Sequence, residues 1–308
     1  MRSSLAAMGM LPVLIALCVA FAAANGRFAS LQNAVVILQQ ASINLVLACG
    51  MTFVILTGGI DLSVGAILAA AAMAGLIVSL DPGFGMLAIP AALLVGTGFG
   101  IVNGVLIAGV RLPPFIVTLG GLTAIRGVAR LMGGDRSVYN SDLSYAVIGN
   151  GTIFGIPWLV VIALTVVVVS WFILRRTVFG RYVYAIGGNA EAARLSGIKV
   201  GIMLVVVYAL SGFFAGLGGV MASARLYAAN GQQLGLMYEL DAVAAVILGG
   251  ASLFGGAGSV WGTLIGALII AVLTNGLILV GVSDVWQYIT KGLIIIGAVT
   301  LDRVRNRR

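Results

Sequence analysis

Histidine is absent from this 308-residue chain, lysine occurs only at Lys199 and Lys291, and Lys, Arg, Asp and Glu together make up 8% of it. A soluble domain carries about 25% charged residues, so an ordinary water-soluble fold is excluded. Without imidazoles, histidine-based metal binding and acid–base chemistry are excluded as well. The two cysteines, Cys18 and Cys49, lie in separate apolar runs and read as small core residues rather than a disulfide or metal pair. No phosphate-binding loop G-x-x-x-x-G-K-[ST] occurs, and neither lysine has that context. If ATP powers this protein, another chain binds it.

What the chain does have is apolar length: 61% of it is hydrophobic and its mean hydropathy is +1.17. Runs such as WLVVIALTVVVVSWFIL (Trp158–Leu174) are continuous rather than alternating, which favours helices over the strands of an outer-membrane barrel. A span takes roughly 20 apolar residues, so the expected fold class is an all-α polytopic membrane protein forming a single transmembrane domain over 1–308. Ten crossings are expected near 5–24, 34–57, 62–80, 84–108, 114–132, 157–174, 201–222, 240–254, 260–280 and 285–301. The eighth is short, and its Gly-rich end suggests a break or re-entrant turn. Leu5–Ala24, with FAAAN at its end, has features of a signal peptide but reads as a first membrane helix because more spans follow.

The net charge of +8 sits at segment ends, as the positive-inside rule expects of cytoplasmic loops, and does not form a nucleic-acid surface. Arg175, Arg176, Arg181, Arg194 and Lys199 mark one loop as cytoplasmic, and Arg303, Arg305, Arg307 and Arg308 mark the C-terminus. Four spans between them and six before them put both termini inside, with Gly133–Ile156 outside. Glycines every four residues at Gly96, Gly100 and Gly104, and at Gly258, Gly262 and Gly266, read as close internal helix packing in preference to a dimer seam.

Polar groups in hydrocarbon are the first candidates for function. Gln40 and Asn44 share a helix face and are expected to line a pathway. Thr118 and Asn275, in the fifth and ninth spans, extend that set. Asp61, after the Gly58-Gly59 break, reads either as a cap carboxylate for the next helix or as a substrate contact. VILTGGIDLSVG (Val54–Gly65) is echoed by VILGGASLFGGAGS (Val246–Ser259), a pairing that can betray repeats around a transport site. Carboxylates away from caps look nearly absent, which suits a neutral, hydroxyl-rich solute. Arg126 and Arg130 are expected to snorkel from the outer end of the fifth span. Outside, Arg27, Arg136 and Arg225 are candidates for docking a protein partner, with Arg130 at the boundary; Arg225 ranks first, with anchoring at the interface as its alternative.

The charged stretch TVFGRYVYAIGGNAEAARLSGIKV (Thr177–Val200) predicts a short amphipathic helix: Gly187-Gly188 break the chain, Asn189 caps, Glu191 falls in the first turn and Gly197 stops it. Composition alone fits a helix lying on the membrane surface. The pattern E-A-A-x-x-x-G (Glu191–Gly197), however, resembles the loop motif of permease subunits of binding-protein-dependent ATP-binding cassette (ABC) importers, although the family's downstream Leu-Pro is missing. GMTFVILTGGIDLSVGAILA, FGRYVYAIGGNAEAARLSGI, YELDAVAAVILGGASLFGGAGSVWGTLIGALI and TNGLILVGVS extend the resemblance to the ribose-type branch, the monosaccharide permeases of bacterial ABC importers, from about Gln32 to Leu301.

That resemblance implies a bacterial inner-membrane permease for ribose or another pentose, built from two transmembrane subunits that are copies of one another. It implies a periplasmic sugar-binding protein and a cytoplasmic ATPase subunit with tandem nucleotide-binding domains that holds the ATP and Mg. Asn189, Glu191, Ala192, Ala193, Arg194 and Gly197 would form the coupling helix that docks on the ATPase. No catalytic or metal-binding residue is expected in this chain. An ion-coupled secondary sugar transporter is the alternative.

Overall fold

The computed structural model describes residues 10–283 together with 285–287, 289–293, 296, 297 and 300. The chain folds into helices α1 (Leu11–Ala24), α2 (Leu31–Leu56), α3 (Val64–Ser79), α4 (Ala88–Ala108, led in by a 3-10 turn Pro82–Leu87), α5 (Pro114–Met132) and α6 (Ala146–Asn150). There follow α7 (Trp158–Arg176), α8 (Val178–Gly188), α9 (Ala190–Leu195), α10 (Val200–Leu226), α11 (Tyr238–Leu248) and α12 (Val260–Leu279). Strand β1 (Ser137–Tyr139) pairs antiparallel with β4 (Ala228–Asn230), and β2 (Thr152–Ile153) pairs antiparallel with β3 (Ile156–Pro157). Among the described residues, six segments are long and apolar enough to cross a membrane: α2, Pro82–Ala108, α5, α7, α10 and α12; α1 and α3 are shorter apolar helices.

Most expected spans match a helix closely; the fifth, 114–132, matches at both ends. The eighth does not: α11 stops at Leu248 after 11 residues instead of reaching 254. The tenth, 285–301, lies partly outside the described residues, as do Leu5–Gly9 of the first and the C-terminal arginines Arg303–Arg308.

α2 and α3 form the centre. Apart from Ile37, every residue of α2 before Ala41 keeps some exposure, whereas every residue from Ala41 to Leu56 is buried. α3 is buried from Val64 through Leu76. Around them, α4 crosses α10 with almost no side chains between the backbones. A Cβ on Gly96 would sit 2.8 Å from the Cα of Gly216, one on Gly100 3.1 Å from the Cα of Gly212, and one on Gly104 2.7 Å from the Cα of Val205. Likewise Gly262 and Gly266 of α12 rest on Gly249 and Ala245 at the end of α11. The four-residue glycine rows therefore serve internal packing, where close backbone approach supplies the van der Waals contact that lipid cannot replace.

The echo between Val54–Gly65 and Val246–Ser259 is a repeated helix stop. At the end of α2, Gly58 N–H donates to Ile55 O (2.9 Å) and Gly59 N–H to Val54 O (3.1 Å). At the end of α11, Gly250 N–H donates to Ile247 O (2.8 Å) and Ala251 N–H to Val246 O (3.2 Å). Gly58 and Gly250 take φ of +82° and +83°, the left-handed conformation this C-terminal motif needs. The two turns meet, since Gly256 N–H donates to Leu56 O (3.0 Å).

α3 begins inside the bundle. It runs beside α10, with Asp61 against Ser211 and Leu68 and Ala72 against Gly219, so its first turn stands level with the middle of that helix. α11 starts at the same level: Gly235, just before it, lies in backbone contact with Gly65. From there the two helices run in opposite directions.

Gly100→Val should be destabilising by about 1–3 kcal/mol, because its methyls must displace the α10 backbone. Gly98→Val, on the open face of α4 with nothing within 4 Å, should stay within about 0.5 kcal/mol of the parent. Thermal unfolding of both purified variants in detergent measures the difference; equal midpoints would remove the α4–α10 contact from the core.

Candidate functional site

Asp61 is fully buried, and both its oxygens accept from the protein. Oδ1 receives the Ser63 N–H (3.0 Å) and Ser63 Oγ–H (2.6 Å), and Oδ2 receives Ser211 Oγ–H (2.9 Å). Asn103 Nδ2 donates in turn to Ser63 Oγ (2.8 Å). One carboxylate thus holds the α2–α3 link to α4 and α10. Ser63 occupies the cap position of α3 but makes no side-chain capping bond, so Asp61 orders the turn just ahead of the helix rather than capping it from within. Thr118, also fully buried, donates to Ile60 O (3.1 Å) and Pro114 O (3.0 Å), tying α5 to the same link.

Asn275 sits elsewhere, at the far end of α12, where it exchanges two 3.0 Å amide bonds with Asn33 of α2. Gln40 and Asn44 differ from these three. Gln40 Oε1 and Asn44 Oδ1 are buried with no hydrogen-bond partner, and a buried unmet acceptor is uphill by about 1–3 kcal/mol. Of the five pathway candidates, these two keep a group for a visitor.

Four charged residues gather where the sequence suggested few. Arg126 does not snorkel: it turns inward and donates to Gly231 O (3.3 Å) and Leu234 O (2.5 Å), supporting the irregular stretch before α11. Glu239 and Asp241, in the first turn of α11, are each 8% exposed. Asp241 Oδ2 pairs with Lys291 Nζ at 2.8 Å, and Glu239 lies within electrostatic range of Arg126 and Asp241. Glu239 and Asp241 are not singled out by the sequence, where carboxylates away from caps look nearly absent. The available signal was the eighth span's shortness: two acids opening an 11-residue apolar helix cannot both lie at a membrane surface if the helix is to reach the other side.

At the end of the bundle where the two glycine turns meet, α8 and α9 form the charged interlude. Asn189 Oδ1 accepts the Ala192 N–H (2.9 Å), capping α9. Gly197 at φ +86° ends it, with Gly197 N–H donating to Arg194 O and Ile198 N–H to Ala193 O. Glu191 and Arg194 form an exposed ion pair one turn apart. Gly187-Gly188 do not break the chain, as the sequence suggested; they complete α8, an 11-residue helix that was not foreseen. Gly187 packs on Leu56 O and Gly256 N, so the base of α9 touches both repeated turns. Ala193 is buried against the bundle, whereas Ala192 and Gly197 are exposed and Leu195 is 81% exposed.

The opposite end carries Arg136, exposed beside β1, and Arg225, half-buried. Arg225 belongs to the last turn of α10. The β1–β4 pairing brings both arginines to this end, together with the Arg130–Asp135 ion pair (2.7 Å). The Arg130 guanidinium hydrogen-bonded to Asp135 holds that carboxyl below its usual range.

A bundle of membrane-length helices, with polar groups held inside and a capped charged helix projecting from one end, is the architecture of an all-α multi-pass membrane protein. The chain belongs to the family described as branched-chain amino acid transport system / permease component, which it matches over residues 33–299. The ribose import permease of Haemophilus influenzae is 46% identical over 285 residues, covering 90% of this chain and 87% of that protein. That of Bacillus subtilis is 45% identical over 287 residues (92% and 88%). The galactose/methyl galactoside import permease of Escherichia coli is 37% identical over 319 residues (97% and 95%). No solved structure matches the chain. The protein is a multi-pass inner-membrane permease.

Removing the Ser211 hydroxyl leaves Asp61 Oδ2 buried and unmet. Ser211→Ala should therefore lower stability by about 1–3 kcal/mol, against no measurable change for Thr165→Ala on the exposed face of α7. Paired thermal melts in detergent test this, and an unshifted Ser211→Ala midpoint would show that Asp61 does not need that bond.

Proposed function

We propose that this chain is the membrane-spanning subunit of an ATP-binding cassette importer for a monosaccharide, ribose or another pentose. The observation that carries the reading is the similarity to ribose import permeases at 45–46% identity over about nine-tenths of the chain, above the 37% shared with a galactose permease. In this reading the chain forms one permease domain that crosses the bilayer about ten times with both termini in the cytoplasm, and it works as a pair of identical subunits.

The α8–α9 end faces the cytoplasm and docks on an ATPase subunit with tandem nucleotide-binding domains, which holds ATP and Mg; no ATP chemistry belongs to this chain. α9 suits that role because it is fixed by a cap and a glycine stop, anchored through Ala193, and presents Leu195 with the Glu191–Arg194 pair outward. Gln40 and Asn44 offer unmet amide oxygens to sugar hydroxyls. Arg136 and Arg225 give the outer end a basic face for the acidic groups of a periplasmic sugar-binding protein.

Reconstitution of the chain with its ATPase and binding protein in proteoliposomes tests the whole reading. Labelled ribose should enter only when ATP and all three components are present. Uptake without the ATPase, abolished by collapsing an ion gradient, would replace it with an ion-coupled carrier. In the same vesicles Glu191→Lys with Leu195→Asp should cut uptake about tenfold or more, the scale of one lost docking contact of about 1.4 kcal/mol; unchanged uptake and ATPase activity would remove α9 from coupling. Exchange of Arg136 and Arg225 for Glu should weaken capture of the binding protein in nanodiscs most at low salt, and equal affinities at low salt would remove them from docking.

A further inference from the structure

α3 and α11 start against each other halfway along the bundle. Gly65, in the first turn of α3, and Gly235, three residues before α11, are in backbone contact, and a side chain on either would run into the other's carbonyl. A helix start leaves amide N–H groups without partners inside the helix and carries roughly half a positive charge. Two such starts meeting in the interior need acceptors: Asp61 takes the Ser63 N–H ahead of α3, Glu239 takes backbone N–H groups of the first turn of α11, and Asp241 adds a second negative charge to that turn.

Asp61 has both oxygens occupied, and Asp241 is paired with Lys291. Glu239 is different. It is 8% exposed, and its Oε2 is buried with no hydrogen-bond partner. That oxygen lies on the Cα side of Gly65, next to Gly235 O, which is another acceptor. Two acceptors therefore converge on one spot: the backbone N–H groups of Met237 and Glu239 reach the carboxylate, and Oε2 is left without a partner beside Gly235 O.

The charge balance says what kind of donor fits. Arg126 and Lys291 oppose Glu239, Asp241 and Asp61, and the two helix starts add about half a unit of positive charge each, so the surroundings come out near neutral. A cation would face Arg126 and Lys291, and an anion would face the carboxylates. A hydroxyl both donates and accepts, which suits an orphan carboxylate oxygen beside helix-start amides. The cover over the spot is residues 231–237, which form turns rather than helix. Irregular backbone at membrane depth persists where it is buried in protein or lines a cavity.

We propose that the α3–α11 junction is a sugar-hydroxyl binding point on the transport path, with Glu239 Oε2 accepting the hydroxyl when residues 231–237 lift from Gly65. The proposal rests on the sugar-import reading above and adds a residue and a moving part to it.

The test uses the reconstituted complex. Glu239→Gln should raise the sugar concentration for half-maximal uptake about tenfold, the scale of a hydrogen bond to a charged acceptor, while its thermal midpoint stays with the parent's. In a Cys18→Ser, Cys49→Ala background, Glu239→Cys should react slowly with 2-aminoethyl methanethiosulfonate at rest. It should react much faster during ATP turnover, and more slowly again with saturating ribose. Uptake kinetics unchanged by Glu239→Gln, or thiol reactivity indifferent to turnover and to ribose, would overturn the proposal and leave Glu239 holding a water or a proton. A parent complex that carries no sugar would overturn the import reading and this one with it; a parent that carries sugar with an indifferent Glu239 overturns this one alone.

Discussion

Gly65 and Gly235 can touch only because neither has a side chain, and the interior of the protein is arranged around that contact. It lets α3 start within the bundle and lets the turn stretch before α11 reach down to meet it. Two helix starts brought together in hydrocarbon would repel and leave amides unmet, so carboxylates must follow them in. Asp61 answers for α3 through Ser63 and Ser211, and Glu239 and Asp241 answer for α11. Arg126 and Lys291 then compensate the carboxylates, and Arg126 also holds the carbonyls of Gly231 and Leu234. Each charged residue in the middle of this apolar chain is explained by the one before it.

Around the junction the packing falls into two kinds. α4 and α10 interlock through Gly96, Gly100, Gly104 and Gly212 with backbone against backbone, an arrangement that has no slack for sliding without separation. The stretch 231–237 is turn backbone, tied by Arg126, by Asn230 through the Gln232, Gln233 and Leu234 N–H groups, and by the close approach of Gly231 to Ala129 and of Gly235 to Gly65. The first is a frame and the second a cover. Between them α2 runs the length of the core, carrying Gln40 and Asn44 near its middle and joining α8 and the α11–α12 turn through Leu56, Gly187 and Gly256 at its C-terminal end. A push on α9 therefore reaches the base of α2 through backbone contacts alone.

How much of this was legible in the sequence depended on the reach of each interaction. The Asn189 cap and the Gly197 stop act within three or four residues, and both were readable from Asn189–Gly197. The glycine rows were readable because a helical period repeats within one segment. The VIL-Gly echo was visible as letters, but its meaning as two identical helix stops required the hydrogen bonds of Gly58, Gly59, Gly250 and Ala251. α8 was missed because Gly187-Gly188 looks like a break, while in the fold those glycines allow the end of a helix to lie on Leu56 O. The charged junction was missed for a different reason. Arg126 meets carbonyls 105 and 108 residues away, and Asp241 meets Lys291 50 residues away. Nothing local marks such partners.

If residues 231–237 lift as proposed, the junction opens during transport while the glycine-packed frame stays closed. Hydrogen exchange at the amides of 61–65 and 235–241, compared with those of 96–104 and 205–216, measures it most directly in the reconstituted complex with and without ATP turnover. Both sets should be protected at rest, and turnover should release the junction amides alone. Junction amides that stay as protected as the α4–α10 set throughout turnover, or both sets released together, would contradict it.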